Sequence, residues 1–325
     1  MPHKFNDARR HMLPRQRHRV TNWTEYNEAL RRRGDLTIWF EDGVADLWSA
    51  PRRLTRGGQA RYSDLAIELC LTLRLVFGLP LRQTQGFVRS IARLTGASIS
   101  APCFTTLSRR GAVLKTGISN RSPTDEPVHL VVDSTGLKVF GAGEWLEEKH
   151  ETRRQRRSWR KLHLGLDLLS GEILCADLTL ESIGDPTALP ELLAQTDAPV
   201  ARFIADGAYD GASVSDLVEA RFGDQVEVII PPPKNAVPSV NAAHDPTSRD
   251  RRIEVIATQG RMGWQTSSGY NQRSRIEAQM GRWKTVIGPK LKARTLANQR
   301  TEAAIGVSIL NRMTRLGRAE FERVA

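Results

Sequence analysis

Three acidic residues stand where their carboxylates can act together on one substrate. Asp133 directly follows the apolar run His129–Val132, and Asp206 directly follows the apolar run Arg202–Ala205. Each run is short and bounded by turn-forming residues, which predicts a buried strand that ends at its acid. Acids at the ends of such strands lie at the edge where open α/β sheets bind ligands. We therefore expect Asp206 to stand beside Asp133.

The third acid lies in the late stretch 270–284, where Tyr270 is followed by Arg273, Glu277 and Lys284. Residues three, four and seven apart are neighbours on a helix, so Arg273, Glu277 and Lys284 are expected on about one face. If that helix reaches the two strands, two aspartates and a glutamate share one pocket edged with cations.

Three clustered carboxylates have a chemical use. Like charges raise one another's pKa, and two divalent metal ions would remove this conflict. The same ions clamp the attacking and leaving oxygens of an in-line phosphoryl displacement, and oxygen ligands favour Mg²⁺ or Mn²⁺ over zinc. The competing interpretation is that each acid is a surface carboxylate or a turn former, since Asp206 precedes Gly207 and Asp-Gly is common in turns.

These stretches resemble those of the DDE transposases of the insertion-sequence-five family. The spacing within Tyr270–Lys284 is similar to that family's Y-(2)-R-(3)-E-(6)-K signature. Val131–Gly136 resembles the context of the first family aspartate, and Ala205–Asp210 resembles the context of the second. The resemblance extends along the whole chain.

What the resemblance implies is a ribonuclease-H-like catalytic fold and metal-dependent cutting and joining of transposon ends. It implies two Mg²⁺ (or Mn²⁺) ions held by the catalytic residues Asp133, Asp206 and Glu277. The other signature residues are expected to contact the DNA backbone of the transposon end: Tyr270, Arg273 and Lys284. The implied partners are double-stranded DNA (terminal inverted repeats and target) and a homodimer or higher assembly. The expected location is the bacterial cytoplasm, at the nucleoid.

Composition points to a polyanionic partner. The chain has 325 residues, a net charge of +12 and 40% hydrophobic residues, with a pI near 10.2. Such an excess favours nucleic acid over a membrane surface, although a merely basic protein is the alternative. Cys70, Cys103 and Cys175 form no CxxC pair, which disfavours structural zinc and disulfides and suits a reducing cytosol. No apolar run reaches about 18 residues, so no membrane span is expected.

The first part of the chain predicts two regions. Residues 1–61 are a basic arm and a small helix/strand segment, with a short apolar strand at Leu36–Phe40 and a flexible basic loop at Pro51–Arg61. Residues 62–120 show three helical patterns in the order of a helix-turn-helix-like DNA-binding region. Its third helix turns Arg109 and Arg110 outward, toward DNA. An ordinary three-helix packing unit fits the same pattern.

Residues 128–325 predict an α/β catalytic domain with a mixed sheet. Alternating strands flank the turn at Ser170-Gly171, and the element order is β-β-β-α-β-α-β-α, as in the ribonuclease-H-like fold that the resemblance implies. An insertion at about 231–268 has no clear pattern beyond a brief strand at Ile253–Ile256.

The run Lys149–Lys161 holds seven Lys or Arg residues with Trp159 among them. Basic residues interleaved with an aromatic suit a nucleic-acid surface, although a solvated loop is the simpler interpretation. The expected contacts are Arg153, Arg154, Arg156 and Arg157.

Two other functions stay open on sequence grounds. A transposase-derived DNA-binding regulator would lack chemistry, but nothing in the sequence indicates loss of the acids. A metal-dependent nuclease would cut without joining, and the acids alone do not separate cutting from joining.

Overall fold

A mixed six-stranded sheet holds the candidate acids. The structure is a computed structural model and describes residues 17–40, 43–54, 56–117, 126–139 and 159–324. The strands are β1 Arg17–Val20, β2 Val128–Val139, β3 Trp159–Asp167, β4 Ile173–Leu180, β5 Val200–Ile204, β6 Glu227–Ile229, β7 Lys290–Leu291 and β8 Phe321–Val324. The helices are α1 Trp23–Arg32, α2 Leu36–Trp39, α3 Asp64–Val76, α4 Leu81–Thr95, α5 Phe104–Gly111, α6 Asp185–Leu193, α7 Ala212–Phe222, α8 Ser248–Ser267, α9 Ser274–Val286 and α10 Leu296–Leu316. Two 3₁₀ turns span Gly207–Tyr209 and Tyr270–Arg273.

The chain divides into two compact units. The smaller unit combines Met1–Ile38 with Arg312–Ala325, and the larger unit is Trp39–Asn311. In the smaller unit β1 pairs with β8 in antiparallel register. The side chain of Asn22 donates to the carbonyl of Arg318 at 2.9 Å and its oxygen accepts from the Glu320 amide, which fastens the two chain segments together.

The larger unit contains the sheet, whose strand order is β4-β3-β2-β5-β6 with β7 also paired to β2. Pairing is antiparallel for β2 with β3 and for β3 with β4. It is parallel for β2 with β5, β5 with β6 and β2 with β7. This arrangement confirms a mixed sheet in an α/β fold.

The core explains why β2 is so apolar. Leu130, Val131 and Val132 are all fully buried, because helices cover both faces of the sheet. Leu130 and Val132 pack in one cluster with residues of α6 and α7. Val131 and Asp133 alternate to the opposite face, where α9 packs on β2 and β3.

A glycine fixes how α9 sits in the larger unit. Trp283 of α9 is fully buried, and its ring occupies the space that a side chain at Gly306 of α10 would need. The two helices approach closely there because Gly306 has no Cβ. The seating of α9 depends on this contact, and α9 carries Glu277.

Helices α3, α4 and α5 pack on one another and belong to the same compact unit as the sheet. The Ser63 hydroxyl caps α3 by accepting from the Ala66 amide at 3.1 Å. The Thr301 hydroxyl of α10 donates to the carbonyl of Gly111 at 2.7 Å, so α5 is tied to the long closing helix.

Two predicted strands are wrong. Leu36–Phe40 contains helix α2 (Leu36–Trp39), which begins where the Asp35 carboxylate accepts from the Thr37 amide at 2.9 Å. Ile253–Ile256 lies inside α8, whose start is fixed by a reciprocal capping box between Thr247 and Asp250. In both places a local side-chain cap outweighs the strand preference of β-branched residues.

The predicted DNA contacts Arg153, Arg154, Arg156 and Arg157 lie outside the described residues. Within the described residues, no helix combines the length and apolar character needed to cross a membrane.

Candidate active site

Strand register brings the two aspartates together. The parallel pairing of β2 with β5 ends at Val131 and Ile204. Asp133 and Asp206 each follow two residues later, so they leave the paired region side by side and toward the same face. The nearby charge of Asp206 adds to burial in raising the Asp133 pKa.

The prediction that the first strand ends at Asp133 is wrong, because β2 continues to Val139. Beyond Val131 the strand remains paired to β3 and opposes Asp133 to Leu164. On its other edge β2 pairs with β5 up to Val131 and with β7 from Lys138. Asp133 therefore lies in the gap between two parallel partners, which opens the sheet as a strand end would.

Arg273 joins the first aspartate to the glutamate. Its Nη1 donates to Asp133 Oδ2 at 2.6 Å, and its Nη2 donates to Glu277 Oε1. Arg273 ends the 3₁₀ turn, and α9 begins one residue later, so Glu277 lies in the first turn of the helix. The predicted continuous helix is thus a turn followed by a helix, which lets the arginine reach back to the strand.

The charges of this cluster act on one another. Burial is the main cause that raises the Asp133 pKa, while the Ser134 amide and Arg273 lower it and the carboxylates of Asp206 and Glu277 raise it. Burial works to lower the Arg273 pKa, but Tyr270 and the three acids together hold it above its usual value. The one guanidinium therefore offsets only part of the negative charge of the cluster.

Asp206 also shapes its own loop. Its Oδ1 accepts from the Ala208 amide at 2.9 Å and heads the 3₁₀ turn Gly207–Tyr209. This is the turn-forming role that its Asp-Gly context predicted. Asp206 Oδ2 makes no hydrogen bond with the described residues, so one oxygen remains available to a ligand.

The remaining signature residues differ in position. Tyr270 is half-buried, and its ring lies 5.5 Å from that of Trp264. Burial is the main cause that raises its pKa, Arg273 lowers it, and Asp206 and Asp133 raise it, which places the phenol beside the acids. Lys284 is exposed near the end of α9 and makes no ion pair with any described residue.

The predicted DNA contacts on α5 do not touch the acids. Arg110 Nη1 donates to the carbonyl of Tyr62 at 2.9 Å, and its Nη2 pairs with Asp64, so this guanidinium is engaged within the protein. Arg109 is exposed on the same helix and lines a cleft with Arg110.

Two residues near Asp206 were not predicted as site residues from the sequence. Asp210 is nearly buried, and Arg249 of α8 donates to its carboxylate with three hydrogen bonds of 2.9 to 3.1 Å. The Tyr209 side chain is almost fully buried, and its hydroxyl has no hydrogen-bond partner among the described residues. The only sequence signal was their position in the stretch that follows Asp206.

The donor chemistry of the site is that of a hard cation, because the three acids offer only carboxylate oxygens. In the described part of the chain, however, no set of three or more His, Cys, Asp or Glu side chains is arranged around one metal position. The guanidinium of Arg273 supplies the positive charge between Asp133 and Glu277.

Comparison with known proteins shows the family. The family model described as transposase DDE domain matches residues 124–312, which is more than half of the chain. A second model of the same description matches residues 31–142.

Two solved structures are similar at low identity. The cryo-EM structure of the piggyBac transposase synaptic complex with hairpin DNA is 13% identical, with a TM-score of 0.43 over 92% of this chain and 78% of that chain. The Drosophila P element transposase strand transfer complex is 12% identical, with a TM-score of 0.30 over 87% of this chain and 63% of that chain. The two family models, and not the similarity to these two structures, assign the family: the chain belongs to the DDE transposase family.

Proposed function

We propose that this chain is the transposase of a bacterial insertion sequence of the insertion-sequence-five family. It binds the terminal inverted repeats of its element and catalyses metal-dependent cleavage and strand transfer of DNA. The observation that carries the proposal is the single guanidinium of Arg273 shared by Asp133 and Glu277, with Asp206 beside them.

The proposed catalytic residues are Asp133, Asp206 and Glu277. Their carboxylate oxygens would hold two Mg²⁺ or Mn²⁺ ions, which when bound supply polarisation of the reacting phosphate and its oxygens. Asp133 is positioned by the Ser134 amide, which donates to its Oδ1 at 2.7 Å. Asp206 is positioned by the Ala208 amide, and Glu277 by the first turn of α9.

Arg273 and Tyr270 are proposed to meet the DNA backbone beside the acids. A guanidinium matches phosphate with two parallel hydrogen bonds, as it matches a carboxylate. Arg273 would therefore exchange carboxylate partners for phosphate oxygens as DNA enters. Lys284 lies two turns of α9 beyond Glu277 and is proposed to contact the backbone further along the strand.

The fold class is proposed to be ribonuclease-H-like. Three meandering strands, then a helix, a parallel strand, a helix and a further strand, with α9 after them, support this class. The mutual packing of α3, α4 and α5 supports a helix-turn-helix-like role for residues 62–120, in which Arg109 faces DNA.

The test supplies the purified full chain with a pre-cleaved inverted-repeat end, a target duplex and Mg²⁺, and measures joined product on a gel. Joined product supports the transposase. Cleavage of intact ends without any joining would make the chain a cut-only nuclease. Binding without cleavage or joining would make it a DNA-binding regulator, and either result contradicts the proposal.

A further inference from the structure

A cleft of about 700 Å³ opens among the helices of the larger unit, away from the three acids. Its walls are Arg53, residues 58–62, α4, and α5 with the residues just before it. Five arginines line it, and no Asp or Glu among the described residues does: Arg53, Arg61, Arg89, Arg109 and Arg110. Arg53 and residues 58–61 belong to Pro51–Arg61, the stretch that the sequence predicts to be a flexible basic loop.

The walls of the cleft are fastened by hydrogen bonds. The Gln59 side chain accepts from the Arg53 amide at 2.8 Å and donates to the Arg53 carbonyl at 3.0 Å. The Ala50 amide donates to the carbonyl of Arg61 at 3.2 Å, and Arg110 holds the next carbonyl, that of Tyr62. A cleft built this way needs little ordering when a ligand enters, which favours binding.

Only one of the five cleft arginines has an ion-pair partner among the described residues. Arg110 pairs with Asp64 outside the cleft lining. The other four arginines make no ion pair with any described residue, and Arg61 lies over the Tyr62 ring at 5.6 Å. A concave surface of one charge sign focuses its field and concentrates counter-ions, in contrast to a flat solvated face.

We propose that this cleft is a docking site for the phosphate backbone of duplex DNA. Guanidinium groups match phosphate oxygens with paired hydrogen bonds, and the side-chain NH₂ group of Gln85 adds a neutral donor. Such contacts position a duplex without reading its sequence. The inference rests on the proposed function, because it takes DNA as the substrate. It differs in placing the DNA backbone contacts in the cleft and not on the outer face of α5 alone.

A cysteine inside the cleft offers a direct readout. Cys103 lines the cleft, and its Sγ lies 3.0 and 3.1 Å from the hydroxyls of Thr105 and Thr106. Hydrogen bonds from Thr105 and then Thr106 lower its pKa to about 7. Cys70 and Cys175 are buried, and burial raises the pKa of each thiol to about 12. Alkylation at neutral pH should therefore select Cys103.

The experiment measures the alkylation rate of Cys103 by iodoacetamide in the full chain, by peptide mass, with and without a saturating duplex. We expect the duplex to slow alkylation by about tenfold or more, because it blocks access to the thiol, and we expect salt to restore the rate.

The double variant Arg89→Gln with Arg109→Gln should bind duplex roughly tenfold more weakly, and its salt slope should fall by about 1.8, at about 0.9 for each phosphate that it no longer neutralises. Arg93→Gln, exposed on the same helix as Arg89 but outside the cleft, is the matched control.

Three results would overturn the inference. Full alkylation of Cys103 while a gel shift shows bound duplex would place the DNA elsewhere. Equal effects of the double variant and the control would make the cleft a solvated face. Protection by millimolar inorganic phosphate equal to that by duplex would assign the cleft to free phosphate. Joining of pre-cleaved ends in the same preparation keeps the proposed function separate, since the chain can join ends whether or not this cleft holds DNA.

Discussion

Arg273 is the residue to which the structure adds most, because it has two acidic partners there. The family resemblance implied a DNA contact, which stays a prediction, and the structure shows the Arg273 side chain between Asp133 and Glu277. The four-residue spacing between Arg273 and Glu277 indicates the pairing of these two residues, because oppositely charged residues at that spacing pair on a helix. The pairing with Asp133 was beyond reach of the sequence, since it joins residues 140 positions apart. The roles of these residues in catalysis and DNA binding stay predictions.

At this scale we predict the effect of replacing Arg273 with Gln. The change leaves Asp133, whose side chain is 14% exposed, without its cation, and should destabilise the fold by roughly 1–3 kcal/mol after allowance for the exposure of Glu277. Mg²⁺ or Mn²⁺ should raise the melting temperature of this variant more than that of wild type, because a divalent ion supplies the missing charge.

Thermal melts with and without the metal check this prediction, and Lys284→Gln is the control. Lys284 is exposed on α9, the helix that follows Arg273, and has no ion pair with the described residues, so its loss should change stability by no more than about 0.5 kcal/mol. A variant at Arg273 that melts like wild type, and gains nothing extra from metal, would show that the three acids do not form one coupled cluster.

At the scale of elements, the sequence predicted the order of strands and helices in the sheet region but not its local exceptions. The apolar run before Asp133 marked β2, yet its continuation to Val139 depends on β3 and β7, which are distant in sequence. Leu36–Phe40 and Ile253–Ile256 have the side chains of strands and fold as helices because of capping at Asp35 and Thr247. The insertion at about 231–268 has α8 as its main element.

We predict that Gly306→Ala destabilises the protein by about 1–3 kcal/mol, because its methyl group would collide with the buried Trp283 ring. The collision would push α9 away from α10 and displace Glu277. Gly281→Ala is the matched control, since nothing lies within 4 Å of a side chain there and the helix interior gains about 1 kcal/mol from alanine. Denaturant unfolding of both variants tests the pair, and equal stability of the two would show that this packing does not hold α9.

At the scale of the whole molecule, the net charge of +12 and the family assignment point the same way. A basic chain attracts nucleic acid of any nucleotide sequence, and the salt dependence of binding reports how many phosphates the chain neutralises. Composition predicted this class of partner, but it could not locate the binding surface. The domain boundaries and the assembly in a DNA complex stay predictions, since they depend on interactions that a single chain does not make.

For the basic run at 149–161, we predict a change in salt dependence. Replacing Arg153, Arg154, Arg156 and Arg157 with Ala should lower the salt slope of duplex binding by about 0.9 for each phosphate that is no longer neutralised. The same four residues changed to Lys keep the charge and should keep the slope. Binding titrations across salt concentrations measure both, and an unchanged slope in the Ala variant would identify the run as a solvated face.

The central claim is that Asp133, Asp206 and Glu277 form the reaction centre, and Asp206→Asn tests it most directly. The change removes one charge and keeps the shape and the hydrogen bond to the Ala208 amide. A gel shift and a Mg²⁺-dependent strand-transfer assay are run on one preparation, with the exposed Asp216→Asn as control. We predict unchanged or tighter DNA binding and a loss of joining of at least about a hundredfold, since charge stabilisation supplies most of the rate. Joining at a near wild-type rate by the Asp206→Asn variant would contradict the three-carboxylate mechanism.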